Sequence, residues 1–323
     1  MKTLDRKLSR IRSGSFTPAD FVMADAGDSD MALGVAAAGP AERGGLKTRT
    51  AHLGSMEEIV RAGAVDVMLV SAANGEELAR RGLFAEGPVT LAIRANDTTD
   101  IWLPRGAAYS AEPSRPFRTA SLERVRPFCD LGLYSMTFNN RLDRDHASLE
   151  AYARFREEAL RAGFRHFLEV FNPNAPAGLA PEAVPSFVND SVVRALAGVT
   201  SAERPLFLKI AYNGARALEE LVEHDPSLIV GILGGAAGTT RDTFELLSQA
   251  MRHGARVALF GRKINLAESP LEMLGFMWRV VRGEVGAAEA VRGYHAALGK
   301  KGLRPRRSLE EDSLVTEPVL LPR

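Results

Sequence analysis

The chain has 323 residues, 46% of them apolar and 25% charged, the proportions of a soluble globular protein. Its 41 Lys and Arg against 40 Asp and Glu leave a formal charge of +1, so the molecule as a whole has no electrostatic pull toward nucleic acid or an anionic membrane. The single cysteine, Cys129, excludes an internal disulfide framework and any multi-cysteine metal site. Apolar stretches such as 228–238 fall far short of the ~20 residues of a membrane span, and residues 1–15 lack the apolar core of a secretory signal. A cytoplasmic protein with no nucleic-acid or membrane partner is the expectation.

Short apolar runs predict strands at 20–26, 66–71, 89–94, 129–135, 166–171, 205–212, 228–233 and 255–260. Helical patterns fall between them near 55–62, 75–81, 121–127, 146–162, 190–198, 214–224 and 240–253, and two more follow at 270–282 and 286–298. The helix near 240 is the clearest. Thr239 or Thr240 can cap it, Asp242 suits its first turn, Phe244, Leu247 and Met251 recur at helical spacing, and Gly254 stops it. Strands alternating with helices predict an α/β protein with a parallel sheet, and eight strands close a (β/α)8 TIM barrel. A doubly wound open sheet would want a glycine-rich turn after the first strand, and DAGDSDMALG is not GxGxxG. The chain then divides into an N-terminal extension (1–19), the barrel (20–298) and a C-terminal tail (299–323). Residues 95–120, with Pro104, Pro113 and Pro116, read as a loop inserted after the third strand. The tail reads as an extended segment, packed on a neighbour or partly disordered.

In a closed barrel alternate strand residues point inward, and the carboxyl ends of the strands build the site. On the sixth strand, Lys209 inward goes with Phe207 and Ala211. A lysine flanked by apolar side chains is partly desolvated, which favours the neutral amine needed to attack a carbonyl. The fifth strand places Glu169 with Phe167 and Phe171, and the first places Asp25 with Phe21 and Met23, opposite Val22 and Ala24. One parity rule thus gathers Asp25, Glu169 and Lys209 inside, where carboxylates beside a lysine can shuttle protons. A structural ion-pair network is the alternative.

After the seventh strand comes Leu233-Gly234-Gly235-Ala236-Ala237-Gly238-Thr239-Thr240, and Phe260-Gly261-Arg262-Lys263 closes the eighth. Glycines let backbone N–H groups approach an anion, helix N-termini favour negative charge, and barrels often hold phosphate at these two loops. Gly234, Gly235, Gly261 and Arg262 are therefore candidate phosphate-binding residues.

At these positions the chain resembles the class I aldolase superfamily that includes deoxyribose-phosphate aldolase and the class I fructose- and tagatose-bisphosphate aldolases. The likeness is firmest over 160–265 and looser over 20–265. FLKIAYNG resembles the segment with the Schiff-base lysine, which implies that role for Lys209; FLEVFNPN resembles the tagatose-bisphosphate aldolase segment whose glutamate is the general acid, matching Glu169. Asp25 matches the first-strand aspartate, and LGGAAGTTRDTF and ALFGRKI resemble the two phosphate loops. Three positions depart from the pattern. Phe171 stands where archaeal-type enzymes have a tyrosine acid, Leu233 replaces the usual serine, and ADAGD lacks the histidine or glutamine that often follows the aspartate. The resemblance implies a metal- and cofactor-independent lyase that makes or breaks a C–C bond in a small carbonyl or sugar-phosphate substrate. Transaldolase- or acyl-transfer-type imine chemistry and a non-catalytic sugar-phosphate-binding barrel are the alternatives.

Other residues weigh less. Arg94, Asn96, Asn172, Tyr212 and Asn213 are candidates to face the pocket. The six histidines show no zinc-helix spacing and read mostly as surface or helix-end residues, Tyr134 and Trp102 as packing, and Cys129 as a small core residue at the fourth strand. A homo-oligomer is expected by resemblance, with Leu271, Leu274, Phe276, Met277 and Val281 supplying apolar surface.

Overall fold

A computed structural model describes residues 1–41, 44–98, 103–107 and 111–321. Among them, eight parallel strands close into a barrel: β1 (Val22–Ala26), β2 (Val67–Val70), β3 (Thr90–Arg94), β4 (Leu131–Thr137), β5 (Arg165–Phe171), β6 (Leu208–Ile210), β7 (Val230–Leu233) and β8 (Val257–Phe260). Each apolar run of the sequence carries one strand, and pairing of β1 with both β2 and β8 closes the ring so that the sheet has no edge, unlike an open doubly wound sheet. The helices are α1 (Thr3–Arg12), α2 (Asp30–Leu33), α3 (Arg49–Arg61), α4 (Ala72–Arg80), α5 (Leu122–Val125), α6 (Leu142–Arg161), α7 (Val184–Leu196), α8 (Ala215–His224), α9 (Thr240–Arg252), α10 (Arg262–Asn265), α11 (Pro270–Val281), α12 (Ala287–Lys300) and α13 (Leu309–Asp312). At the start of α9, Thr239 is the N-cap, and its side chain and that of Asp242 accept each other's backbone N–H in a capping box.

Two apolar layers result. Phe21, Met23, Met68, Leu168, Val170, Leu208 and Ile210 pack outward against the helices. Val22, Ala24, Ala26, Leu69, Ala92, Leu133, Phe167 and Phe207 fill the barrel interior, where Phe167 and Phe207 stack with centroids 4.6 Å apart. The extension before β1 belongs to this interior. Leu4 and Leu8 of α1 are buried in the same layer, and Lys7 reaches Asp66 at 2.8 Å, so α1 plugs the amino-terminal mouth.

The tail packs on its own barrel. Asp312 accepts from the Thr240 amide at 2.8 Å, Asp242 accepts from the Thr316 and Glu317 amides at 2.7 and 3.1 Å, and Glu317 pairs with Lys263 at 2.7 Å. The expectation of a partly disordered segment or one packed on a neighbour is corrected on that ground for the described part of the tail. Leu274, Phe276, Met277 and Val281 likewise turn inward, where α11 packs with α9 and α12, so they offer no apolar face for a second copy. In the 95–120 insertion, Asn96–Asp97 pairs antiparallel with Phe117–Arg118; Trp102 lies outside the described residues. Among the described residues no helix is long and apolar enough to cross a membrane.

Candidate active site

The strand register builds the site directly. Ser135 of β4 pairs with Glu169 of β5, and Glu169 pairs with Lys209 of β6. Phe167 and Phe207 face the interior, so Glu169 and Lys209, two residues further on, face it too, one layer nearer the carboxyl ends of the strands. Lys209 Nζ lies 2.7 Å from Glu169 Oε1, with side-chain exposures of 6% and 1%. The other oxygen, Glu169 Oε2, accepts from Ser135 Oγ at 2.8 Å and from Arg94 Nη2 at 3.4 Å. Asn96 fixes Ser135 in turn, accepting its amide at 2.6 Å and donating to its carbonyl at 3.0 Å.

Above this row opens a cavity of about 370 Å³, the size of a small-metabolite site. Lys209, Glu169, Arg94, Asp28, Phe171, Leu233, Gly234, Gly235, Gly261 and Arg262 line it, with Ala32 and Leu33 of α2 at its mouth. The nucleophile-type lysine, the carboxylate and both glycine loops thus share one space. Gly235 has φ +66°, a conformation that L side chains rarely adopt. At Gly261 a Cβ would sit 2.7 Å from the Ala26 carbonyl, so β8 can turn into α10 only with glycine there. The Arg262 guanidinium has no hydrogen-bond or ion-pair partner among the described residues, Glu268 included. Lys263 differs: it is buried and held by Glu317, and it does not line this cavity. Asn172 and Asn213 bond each other, and Tyr212 donates to Gln249.

Asp25 is corrected. Val22, Ala24 and Ala26 face the interior, so Asp25 lies on the outward face with Phe21 and Met23. The reason is size: opposite two stacked phenylalanines the interior has room for valine and alanine, while Phe21 and Met23 fill the wider space under the helices. Asp25 accepts from Asn265 of α10 at 2.7 Å, and its other oxygen has no partner. Burial pushes its carboxyl up to about 7; the Asn265 hydrogen bond opposes this and the charge of Asp28 adds to it.

Sequence reasoning missed Asp28. It continues the inward series 22, 24, 26, lines the cavity, and accepts from Arg94 Nε at 2.6 Å. The available signal was the second aspartate three residues on, across Gly27. Two histidines also depart from the surface expectation. His52 is buried, and so is His166, which bonds the Tyr152 hydroxyl at 2.9 Å and is held neutral by burial, down to about 3. Cys129 is buried, its thiol pushed up to about 12 by desolvation. Among the described residues no three His, Cys, Asp or Glu side chains gather as a metal site.

No protein-family model and no curated protein matches the chain. Solved structures do. An archaeal fructose 1,6-bisphosphate aldolase is 16% identical, the match covering 87% of this chain and 99% of that one at a TM-score of 0.63. A Schiff-base-forming fructose-1,6-bisphosphate aldolase is also 16% identical, covering 86% and 99% at 0.62. Cgl0159 from Corynebacterium glutamicum is 18% identical, covering 87% and 98% at 0.61. At these identities the shared property is the fold. The chain has the same (β/α)8 barrel fold as these solved structures.

Proposed function

We propose that the protein is a class I aldolase-type lyase acting on a small phosphorylated hydroxycarbonyl compound. The observation that carries this reading is the buried Lys209–Glu169 contact of 2.7 Å at the floor of the cavity. A lysine and a carboxylate at that distance can exchange a proton before each turnover, leaving a neutral amine to add to a carbonyl. In this scheme Lys209 Nζ attacks the substrate carbonyl carbon and forms a carbinolamine. Glu169, carrying the lysine's proton, returns it to the carbinolamine oxygen, and water leaves as the imine forms. Glu169 then takes the proton of the substrate's β-hydroxyl. The C–C bond breaks into an aldehyde and an enamine, the iminium nitrogen receiving the electron pair. Phe171 has no proton to offer, so Glu169 serves both transfers.

The anion end of the substrate is assigned to the opposite wall. Arg262, unpartnered there, with Gly234, Gly235 and Gly261, supports a phosphate or similar anion at the β7 and β8 loops. Product analysis with a panel of phosphorylated ketoses and ketoacids tests the reading. A C–C cleavage or condensation product that disappears in Lys209→Ala supports it. Transfer of a three-carbon or acyl unit without release would replace it with transferase chemistry, and turnover unchanged in Lys209→Ala would remove it.

A further inference from the structure

We propose that Asp28 and Arg94 are a positioning pair that sets which oxygen of Glu169 faces Lys209; this rests on the Schiff-base reading above. Arg94 ends β3 on the inward face, 6% exposed, and its planar fork is divided among several acceptors. Nε binds Asp28 Oδ2 at 2.6 Å, Nη1 binds Ser135 Oγ at 2.9 Å, and Nη2 reaches Glu169 Oε2 at 3.4 Å, while Asp97 Oδ1 lies 4.0 Å from Nη1. Only one oxygen of Glu169 is therefore engaged on the arginine side, and the other stays with Lys209.

That division is not what an arginine and a carboxylate adopt when left to each other. They prefer a bidentate pair, two parallel N–H···O bonds using both carboxylate oxygens. Such a pair between Arg94 and Glu169 would draw Oε1 away from Lys209 and remove the proton acceptor from the amine. Asp28 opposes it by holding the Nε edge of the fork at 2.6 Å. The 3.4 Å gap to Glu169, long for a charge-assisted bond, is the mark of that restraint. Ser135, bonded to both Arg94 and Glu169, fills the space between them.

The arrangement makes an unusual demand: the second substitution must repair the first. In Asp28→Asn the contact to Nε loses its charge and weakens, Glu169 turns toward Arg94, and imine formation slows by about 10²-fold, the loss that a displacement of about 1 Å brings to a proton-transfer geometry. In Asp28→Asn/Arg94→Met the competing partner is gone, Ser135 and Lys209 again hold Glu169, and about tenfold of the loss returns. The readout is the rate of borohydride-trapped adduct on Lys209 with dihydroxyacetone phosphate as the probe. Its half-saturating concentration and the unfolding temperature are measured in parallel. The expected result is a rate effect with half-saturation changed less than about twofold and the fold retained. A double variant as slow as Asp28→Asn or slower, or an Asp28→Asn protein at the wild-type rate, overturns the pairing role while leaving Lys209 chemistry standing. No Lys209 adduct in the wild type would instead overturn the Schiff-base reading, and this inference with it.

Discussion

Replacing Arg262 by alanine isolates the anion wall from the chemistry on the floor. Arg262 lines the cavity and is exposed to solvent, with no protein acceptor among the described residues, so little internal structure is lost with it. A hydrogen bond between charged groups contributes about 1.5–3 kcal/mol, roughly ten- to a hundredfold in affinity. Its exposure to solvent places the expectation at the lower end, about tenfold. The assay is the half-saturating concentration for trapping on Lys209, compared for dihydroxyacetone phosphate and dihydroxyacetone. Arg262→Ala should raise it about tenfold for the phosphorylated ketone and leave the neutral one within about twofold. Lys263→Met is the internal control. Its ammonium is fully covered and paired with Glu317, so its loss should lower stability and spare phosphate affinity. An equal loss for both ketones would show that Arg262 braces the rim and reads no anion. A larger phosphate effect from Lys263→Met would place the anion on the other side of the loop.

Three further outcomes follow from the same geometry. Glu169→Gln should lower kcat by about 10²–10⁴-fold in a folded protein, measured by single-turnover kinetics; a near-normal rate would return Glu169 to a structural role. Asp25→Asn tests the buried carboxyl. With its folded pKa raised to about 7, above its unfolded value of 3.8, the folded state holds the proton longer, so ionisation of Asp25 erodes stability as pH rises from about 4 to 7. Asparagine can still accept from Asn265 and carries no charge, so the variant's urea midpoint relative to wild type should increase across that interval and level off above it. A pH-independent difference would mean that Asp25 does not titrate there. Leu8→Ala should cost about 2–5 kcal/mol by leaving a hole where α1 plugs the barrel, read from urea unfolding; a loss under about 1 kcal/mol would show that α1 is merely laid over the mouth.

The strands were legible because both layers of a barrel are apolar, so each strand is a short hydrophobic run bounded by polar helices. Glu169 and Lys209 were legible because a charged residue inside such a run has one place where it can be used. The same double burial is why β1 misled. When both faces are apolar, alternation gives the period but not the sign, and the sign is set by volumes contributed from other strands, here the Phe167–Phe207 stack. Asp25 fitted the motif and lies behind the wall; Asp28 did not fit and lines the cavity. The helix α1 was overlooked because its apolar contribution to the interior is two leucines among charged residues. The tail's path depends on Asp312, Thr316 and Glu317 meeting groups more than fifty positions away, contacts with no local periodicity to announce them.

In the proposed chemistry Lys209 is the residue that bonds to substrate. Incubation with dihydroxyacetone phosphate and borohydride, followed by peptide mass spectrometry, should show one reduced adduct, on Lys209, that is absent in Lys209→Ala. An adduct on Lys263 or another lysine, or turnover of a carbonyl substrate that borohydride cannot trap, would contradict it.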